Sequence, residues 1–250
     1  MSLTDLNLLT LPLVAGLLVV LSHVPLGQEV VRRGIIFIDL AIAQIAGVGI
    51  IAAGLLGLHS PWAVQLFAAC SALAGALLLT LTERHLGNRQ EPLIGVLFVL
   101  AASLGLLLLA GDPHGSESLK TMLSGQILWV GEMHLLVSGS ILLGAALIWW
   151  LLQQKLQGRG FYFVFAIAIT ASVQLVGVYL VFASLVIPAL ATVNVRRRRT
   201  LLALLLGWVG YGAGLLASLY WDLPAAPLIV CCLAGAAGLV VLTRKVASHG

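Results

Sequence analysis

Apolar runs of about twenty residues recur along the chain, parted by short polar or basic turns. The alternation predicts helices near residues 8–24, 34–58, 62–82, 92–110, 134–152, 161–180, 200–220 and 224–243. A run of that length spans a hydrocarbon layer about 30 Å thick, whereas a buried core helix needs only about 10–14 apolar residues. The stretch from Phe161 to Val195 breaks the rhythm. Arg159 before it and Arg196–Arg199 after it belong on one side of a membrane, so the chain must leave and return between them. At about 1.5 Å per residue that stretch is too short for two full crossings, and one element must be short or broken. Pro188, in the run Ala183-Ser-Leu-Val-Ile-Pro-Ala-Leu-Ala191, marks the expected place, with Ser184 one turn before it. Proline removes a backbone donor, and irregular backbone at membrane depth is tolerated only inside protein or along a wet cavity. The expected fold is an all-α polytopic bundle of about eight to nine transmembrane helices, forming one domain over residues 1–250, with a short broken helix near Pro188.

Composition agrees. The chain is 61% hydrophobic and only 9% charged, where a soluble domain carries roughly a quarter of its residues charged. Its first seven residues hold Asp5 and no Lys or Arg, so the first apolar run reads as a retained helix and not as a cleaved signal. Cys70, Cys231 and Cys232 all lie inside apolar runs, without the spacing of a disulfide framework or a Cys-based zinc site. Gly207, Gly210 and Gly214, and likewise Gly235 and Gly238, are small-residue faces suited to close helix packing in lipid.

The net charge of +4 matters through its placement. Basic residues gather at Arg32–Arg33, Arg84 and Arg89, Lys155 and Arg159, Arg196–Arg199, and Arg244–Lys245, while the intervening turns are neutral or acidic. The positive-inside rule puts the basic turns in the cytoplasm, the N-terminus outside and the C-terminus inside. The four arginines read as an anchor at anionic lipid and not as a nucleic-acid patch.

Ionisable groups inside apolar spans are costly and functional by default. Asp39 leads: it lies in an apolar stretch with no basic residue one turn away. Gln44 stands five residues on, about 140° around a helix. His23 precedes Val24-Pro25 near the end of the first expected span, so His23 and Asp39 flank one cytoplasmic turn. Imidazole with carboxylate suits zinc, and carboxylate with amide oxygen suits manganese. Asp112, His114 and Glu117, on an outward turn, can attract a cation, dock a soluble binding protein, or form an ordinary solvated loop. The stretch from Leu119 to Val130 reads as an amphipathic surface segment. The chain carries no phosphate-binding Gly-x-x-x-x-Gly-Lys-Ser/Thr loop and no hydrolytic triad or His-Glu-x-x-His motif. Any pumping energy must come from a partner or an ion gradient.

Five segments in register resemble the zinc/manganese-type (ABC-3) permeases of ABC importers. They are Pro25-Leu-Gly-Gln-Glu-Val-Val-Arg-Arg33 followed by Asp39, Ile94-Gly-Val-Leu-Phe98, Met122-Leu-Ser-Gly-Gln-Ile-Leu128, the block from Gln174 to Ala189, and Tyr220-Trp-Asp-Leu-Pro-Ala-Ala-Pro227. The resemblance implies a homodimer of permeases in a bacterial inner membrane, served by two cytoplasmic ATPase subunits and an extracytoplasmic metal-binding protein. It further implies alternating access for Zn2+ or Mn2+ as cargo, zinc ahead of manganese, with no permanently bound cofactor and ATP hydrolysed on another chain. Asp39 matches the family's second-span Asp. Where many members have His four residues later, this chain has Ala43, with Gln44 next. Two segments are candidates for coupling to the ATPase: residues 153–160, and the loop with Glu83, Leu86, Gly87 and Glu91. A permease for a metal chelate such as a siderophore or cobalamin, a gradient-driven secondary transporter and a non-transporting scaffold are the other classes considered. The last would leave Asp39 without a purpose.

Overall fold

The structure is a computed structural model and describes residues 9–58, 60–86, 89–111, 123–156, 158, 160–195 and 197–249. Among these, nine α-helices follow one another: α1 (Thr10–Arg33), α2 (Ile38–Leu55), α3 (Pro61–Leu86), α4 (Gln90–Leu109), α5 (Glu132–Leu156), α6 (Gly160–Val176), α7 (Val178–Ala191), α8 (Arg199–Trp221) and α9 (Ala225–His249). A single 3-10 turn, Ile127–Trp129, precedes α5. Seven of these helices are long and apolar enough to cross a membrane, and α6 and α7 are shorter. The all-α polytopic bundle expected from the apolar runs is therefore present.

α1, α6 and α7 form the centre. α1 packs on α5, α7 and α8; α6 packs on α3 and α5; α9 closes against α7 and α8. α4 lies at the margin on α2, with Leu100, Leu104 and Leu107 exposed as a lipid-facing helix requires. Polar contacts between distant residues fix which helix ends lie together. Arg33 at the end of α1 pairs with Glu83 at the end of α3, Glu91 at the start of α4 bonds Phe37 before α2, and Thr200 at the start of α8 bonds Gln28 of α1. The basic turns thus share one face of the bundle. Exposed Trp62, Trp129, Tyr220 and Trp221 stand at helix ends on the opposite side, where amphipathic rings suit the membrane interface.

Two boundaries differ from the expected ones. α1 does not stop before Pro25 but runs on to Arg33. Proline forfeits one backbone bond, and burial of Val24, Leu26 and Val30 outweighs that loss. The helix ends at Gly34 (φ 70°, ψ 30°), whose amide bonds Val31 O while the Ile35 amide bonds Val30 O, a glycine-terminated Schellman cap. In the second case, a short broken element exists where it was expected, but the break is at Gly177 (φ 82°, ψ 163°), between α6 and α7. Pro188 sits inside α7, and the helix continues through it to Ala191. Thr192 Oγ1 donates to Pro188 O at 2.8 Å and helps close the helix end.

The glycines of α8 serve two neighbours. Gly207 faces Val20 of α1, whereas Gly210 and Gly214 face Leu233 and Ile229 of α9. Around Gly235 and Gly238 there is open space, so that small-residue face is not used within the described chain.

Candidate functional site

Asp39 occupies the first turn of α2 and is 1% exposed. Both carboxylate oxygens are buried without a hydrogen-bond partner. The amides of Asp39 and Leu40 act on the carboxylate electrostatically, without a bond of ordinary geometry. A buried polar group with no partner costs free energy on the order of 1–3 kcal/mol, more when charged, so this one calls for a reason beyond packing. Gln44, also buried, follows on the same helix.

His23 is fully buried, but its ring meets serines and not Asp39. Nδ1 lies 2.9 Å from Ser22 Oγ and Nε2 lies 3.1 Å from Ser172 Oγ of α6. Ser172 also reaches Ala168 O and Ile169 O, and Ser22 reaches Val19 O. Each hydroxyl can therefore turn its proton to the ring or to its own backbone. The continuation of α1 past Pro25 is why His23 is not beside the α1–α2 turn: it lies about three helical turns before the helix end. The imidazole bridges α1 to α6 with both nitrogens engaged.

Ser184 and Pro188 lie in α7. Ser184 Oγ donates to Leu180 O at 2.5 Å and stands 2.8 Å from the hydroxyl of Tyr211 on α8. Since the serine proton is committed to its carbonyl, the tyrosine is the donor of that second bond. Pro188 cannot donate to the Ser184 carbonyl four residues back, so backbone and side chain at Ser184 both depart from plain helix.

Among the coupling residues, Glu83 and Glu91 are engaged inside the chain. Glu83 Oε1 receives Arg33 Nη1 at 3.0 Å. Arg33 also donates from Nε to Glu29 at 2.7 Å, and its guanidinium lies 4.5 Å from the Phe161 ring centroid and 5.6 Å from that of Tyr162. Arg32 completes the cluster on Glu29 with bonds of 2.7 and 2.5 Å. Glu91 Oε1 accepts the Phe37 amide at 3.2 Å and so caps α2 from another helix, in place of the missing side-chain cap at its own N-terminus. Leu86 is half-buried. Gly87, and the outer-turn residues Asp112, His114 and Glu117, lie outside the described residues. Among those described, no three His, Cys, Asp or Glu side chains come together as a metal cluster.

Sequence reasoning did not find Arg33, Ser172 or Tyr211 as organising residues. Each meets its partner across a long sequence interval, and only Arg33 carried a signal, as a charge at a helix end.

A chain of this kind, with its buried, unpaired carboxylate and its broken helix pair at depth, is a polytopic membrane transport protein. It belongs to the ABC 3 transport family, whose model matches residues 5–159 and 151–244. Two solved structures share the fold. One is PsaBC from Streptococcus pneumoniae in complex with Fab: 20% identity, 96% of this chain and 95% of that chain covered, TM-score 0.72. The other is an ABC transporter assigned to the metal-chelate type, in an inward-facing conformation: 17% identity, 93% and 85% covered, TM-score 0.67. No curated protein matches the chain.

Proposed function

We propose that this chain is the membrane-spanning permease subunit of an ATP-driven ABC importer for a divalent transition metal ion. The observation that carries the reading is Asp39, a carboxylate buried in a transmembrane helix with neither oxygen paired. Such a group marks an ion pathway. Family membership favours an ATPase partner over an ion gradient as the energy source. In this reading two copies of the chain assemble in a bacterial inner membrane with two cytoplasmic ATPase subunits, and an extracytoplasmic binding protein delivers the metal. The basic face is cytoplasmic, the N-terminus is outside, and the broken pair α6–α7 moves during alternating access. Zn2+ and Mn2+ are the cargo candidates.

The test is cellular metal content by elemental mass spectrometry in metal-depleted medium, with and without the gene. Loss of one metal, restored by the wild-type chain and not by Asp39→Asn, is the expected result. Unchanged zinc, manganese and iron, in a strain lacking other uptake systems, would overturn metal import and direct attention to a chelate cargo.

A further inference from the structure

Glu91 is the second feature of this region that packing leaves unexplained. Its Oε1 is bonded to the Phe37 amide at 3.2 Å, yet its Oε2 is buried with no partner. Phe37 is only two residues before Asp39, so the bond brings the Glu91 carboxylate to the first turn of the helix that carries Asp39. Among the described residues, the Glu91 carboxylate is a charged group whose field reaches Asp39. Three buried carboxylate oxygens without partners, Oδ1 and Oδ2 of Asp39 and Oε2 of Glu91, thus belong to two side chains linked through the Phe37 amide at the start of α2. A buried carboxylate such as Asp39, with a half-exposed one of like charge nearby, is stabilised by a cation or a proton at its oxygens.

Both residues also lie in the first turn of their own helices, α2 and α4. The positive ends of those helices offset part of the cost that burial places on an ionised carboxylate. Burial grades along the pair: Asp39 is closed off, while Glu91 is half-exposed on the face that carries the basic turns. A cation held by both would lie between the interior and that face.

We infer that Glu91 is a second ligand for the transported cation, forming with Asp39 an all-oxygen site at the start of α2 whose donors suit a hard divalent ion such as Mn2+. The inference rests on the pathway reading of Asp39. Carboxylate and amide oxygens suit Mn2+, whereas imidazole and thiolate suit Zn2+. His23, the histidine nearest Asp39 in the sequence, has both nitrogens on serines, and Ala43 offers no donor. Gln44, on the same helix, could add an amide oxygen only if the helix turned, so the site needs only the two carboxylates and water. Glu91 is thereby a ligand that also caps α2. A cation drawing on Oε2 leaves Oε1 on the Phe37 amide, so binding is coupled to the position of the α2 start.

The test uses the full chain with its ATPase subunits in lipid nanodiscs, and Mn2+ binding followed by electron paramagnetic resonance of the free ion, with Zn2+ as competitor. Glu91→Gln keeps a carbonyl oxygen for the Phe37 amide and removes only the charge. We expect Glu91→Gln to weaken Mn2+ binding at least tenfold, Asp39→Asn to abolish it, and Glu132→Gln, exposed at the start of α5, to leave it unchanged. Unchanged Mn2+ affinity in Glu91→Gln beside lost binding in Asp39→Asn would overturn the role of Glu91 and spare that of Asp39. Unchanged binding in both would overturn both and leave a shared proton as the occupant. If Glu91→Gln does not assemble, carbodiimide labelling of the wild-type chain decides: protection of Glu91 by Mn2+ supports the site, and equal labelling with and without Mn2+ overturns it.

Discussion

Gly125 and Gly177 meet backbone to backbone across the bundle. Both have positive φ, 66° and 82°, and a Cβ on either would run into the other's main chain, at Val176 O and Gly177 N in one direction and at Gly125 N and Ser124 C in the other. The break between α6 and α7 is thus buried against the turn before Ile127–Trp129, which is how irregular backbone survives at membrane depth. The two segments belong to separate sequence blocks, 122–128 and 174–189, and their glycines explain why each block has the form it does.

Gly125→Ala and Gly177→Ala should each destabilise the chain by about 2 kcal/mol or more, since an L-residue in the left-handed region costs roughly 1–2 kcal/mol before any clash is added. Thermal melting of the purified protein followed by size-exclusion fluorescence checks this. A melting temperature within a degree of wild type for either variant would show that the two main chains do not pack this closely.

The bond between Ser184 and Tyr211 gives an asymmetric expectation. Tyr211→Phe removes the donor, but Ser184 keeps its bond to Leu180 O, so the loss should be near the ~0.6 kcal/mol typical of hydrogen bonds between membrane helices. Ser184→Ala leaves the buried Tyr211 hydroxyl without an acceptor and should cost about 1–3 kcal/mol. The double variant should resemble Tyr211→Phe, because the stranded hydroxyl is then gone. Equal effects of the two single changes, adding in the double, would contradict the assigned direction of the bond.

Much of the architecture was legible because lipid imposes it. Uninterrupted apolar runs and basic turns marked the crossings, and the short return between Arg159 and Arg196 announced a broken element. Its position was not legible. Pro188 draws attention as a helix breaker, yet α7 accommodates it at the loss of a single bond. Gly177 breaks the helix through a conformation that only glycine takes readily, and in an apolar run a glycine reads as a packing residue. Asp39 was visible as a charge without a local partner. Its relation to Glu91 spans two helices and a loop, and nothing in the spacing of the two residues reveals it. For His23 the difference in position follows from a helix boundary: a helix ending at Pro25 puts the imidazole beside the turn, whereas the Arg-Arg-Gly at 32–34 is the better stop signal.

Ser172→Ala separates a bridging role of His23 from a metal-binding one. The substitution leaves one ring nitrogen of a fully buried imidazole without its partner and should lower stability by about 1–3 kcal/mol. Metal uptake per folded molecule should stay as it is in the wild type. Uptake that falls while the amount of folded protein and its melting temperature hold would instead place His23 in the pathway.

Arg33 ties together the two segments considered for ATPase coupling. It holds Glu83 beside one loop, and it covers the rings of Phe161 and Tyr162 just after the other, while Glu29 anchors it to α1. Its side chain is 12% exposed and that of Glu83 is 36% exposed, so the two ends of the ion pair differ in worth. Arg33→Ala should cost about 2–3 kcal/mol, because it removes a largely buried cation and its ring stacking, although Glu29 retains Arg32. Glu83→Ala should cost under ~1 kcal/mol, as half-solvated pairs do, and less still in high salt. Arg33→Lys keeps the charge but loses the planar fork over Phe161, and should fall between them. If the two loops move as one body on ATP binding, Arg33→Lys should also reduce metal transported per ATP hydrolysed in reconstituted vesicles, whereas Glu83→Ala should leave that ratio near wild type. A ratio unchanged in Arg33→Lys would confine Arg33 to holding the helix ends, and an equal drop in both variants would move the coupling step to the Glu83 loop alone.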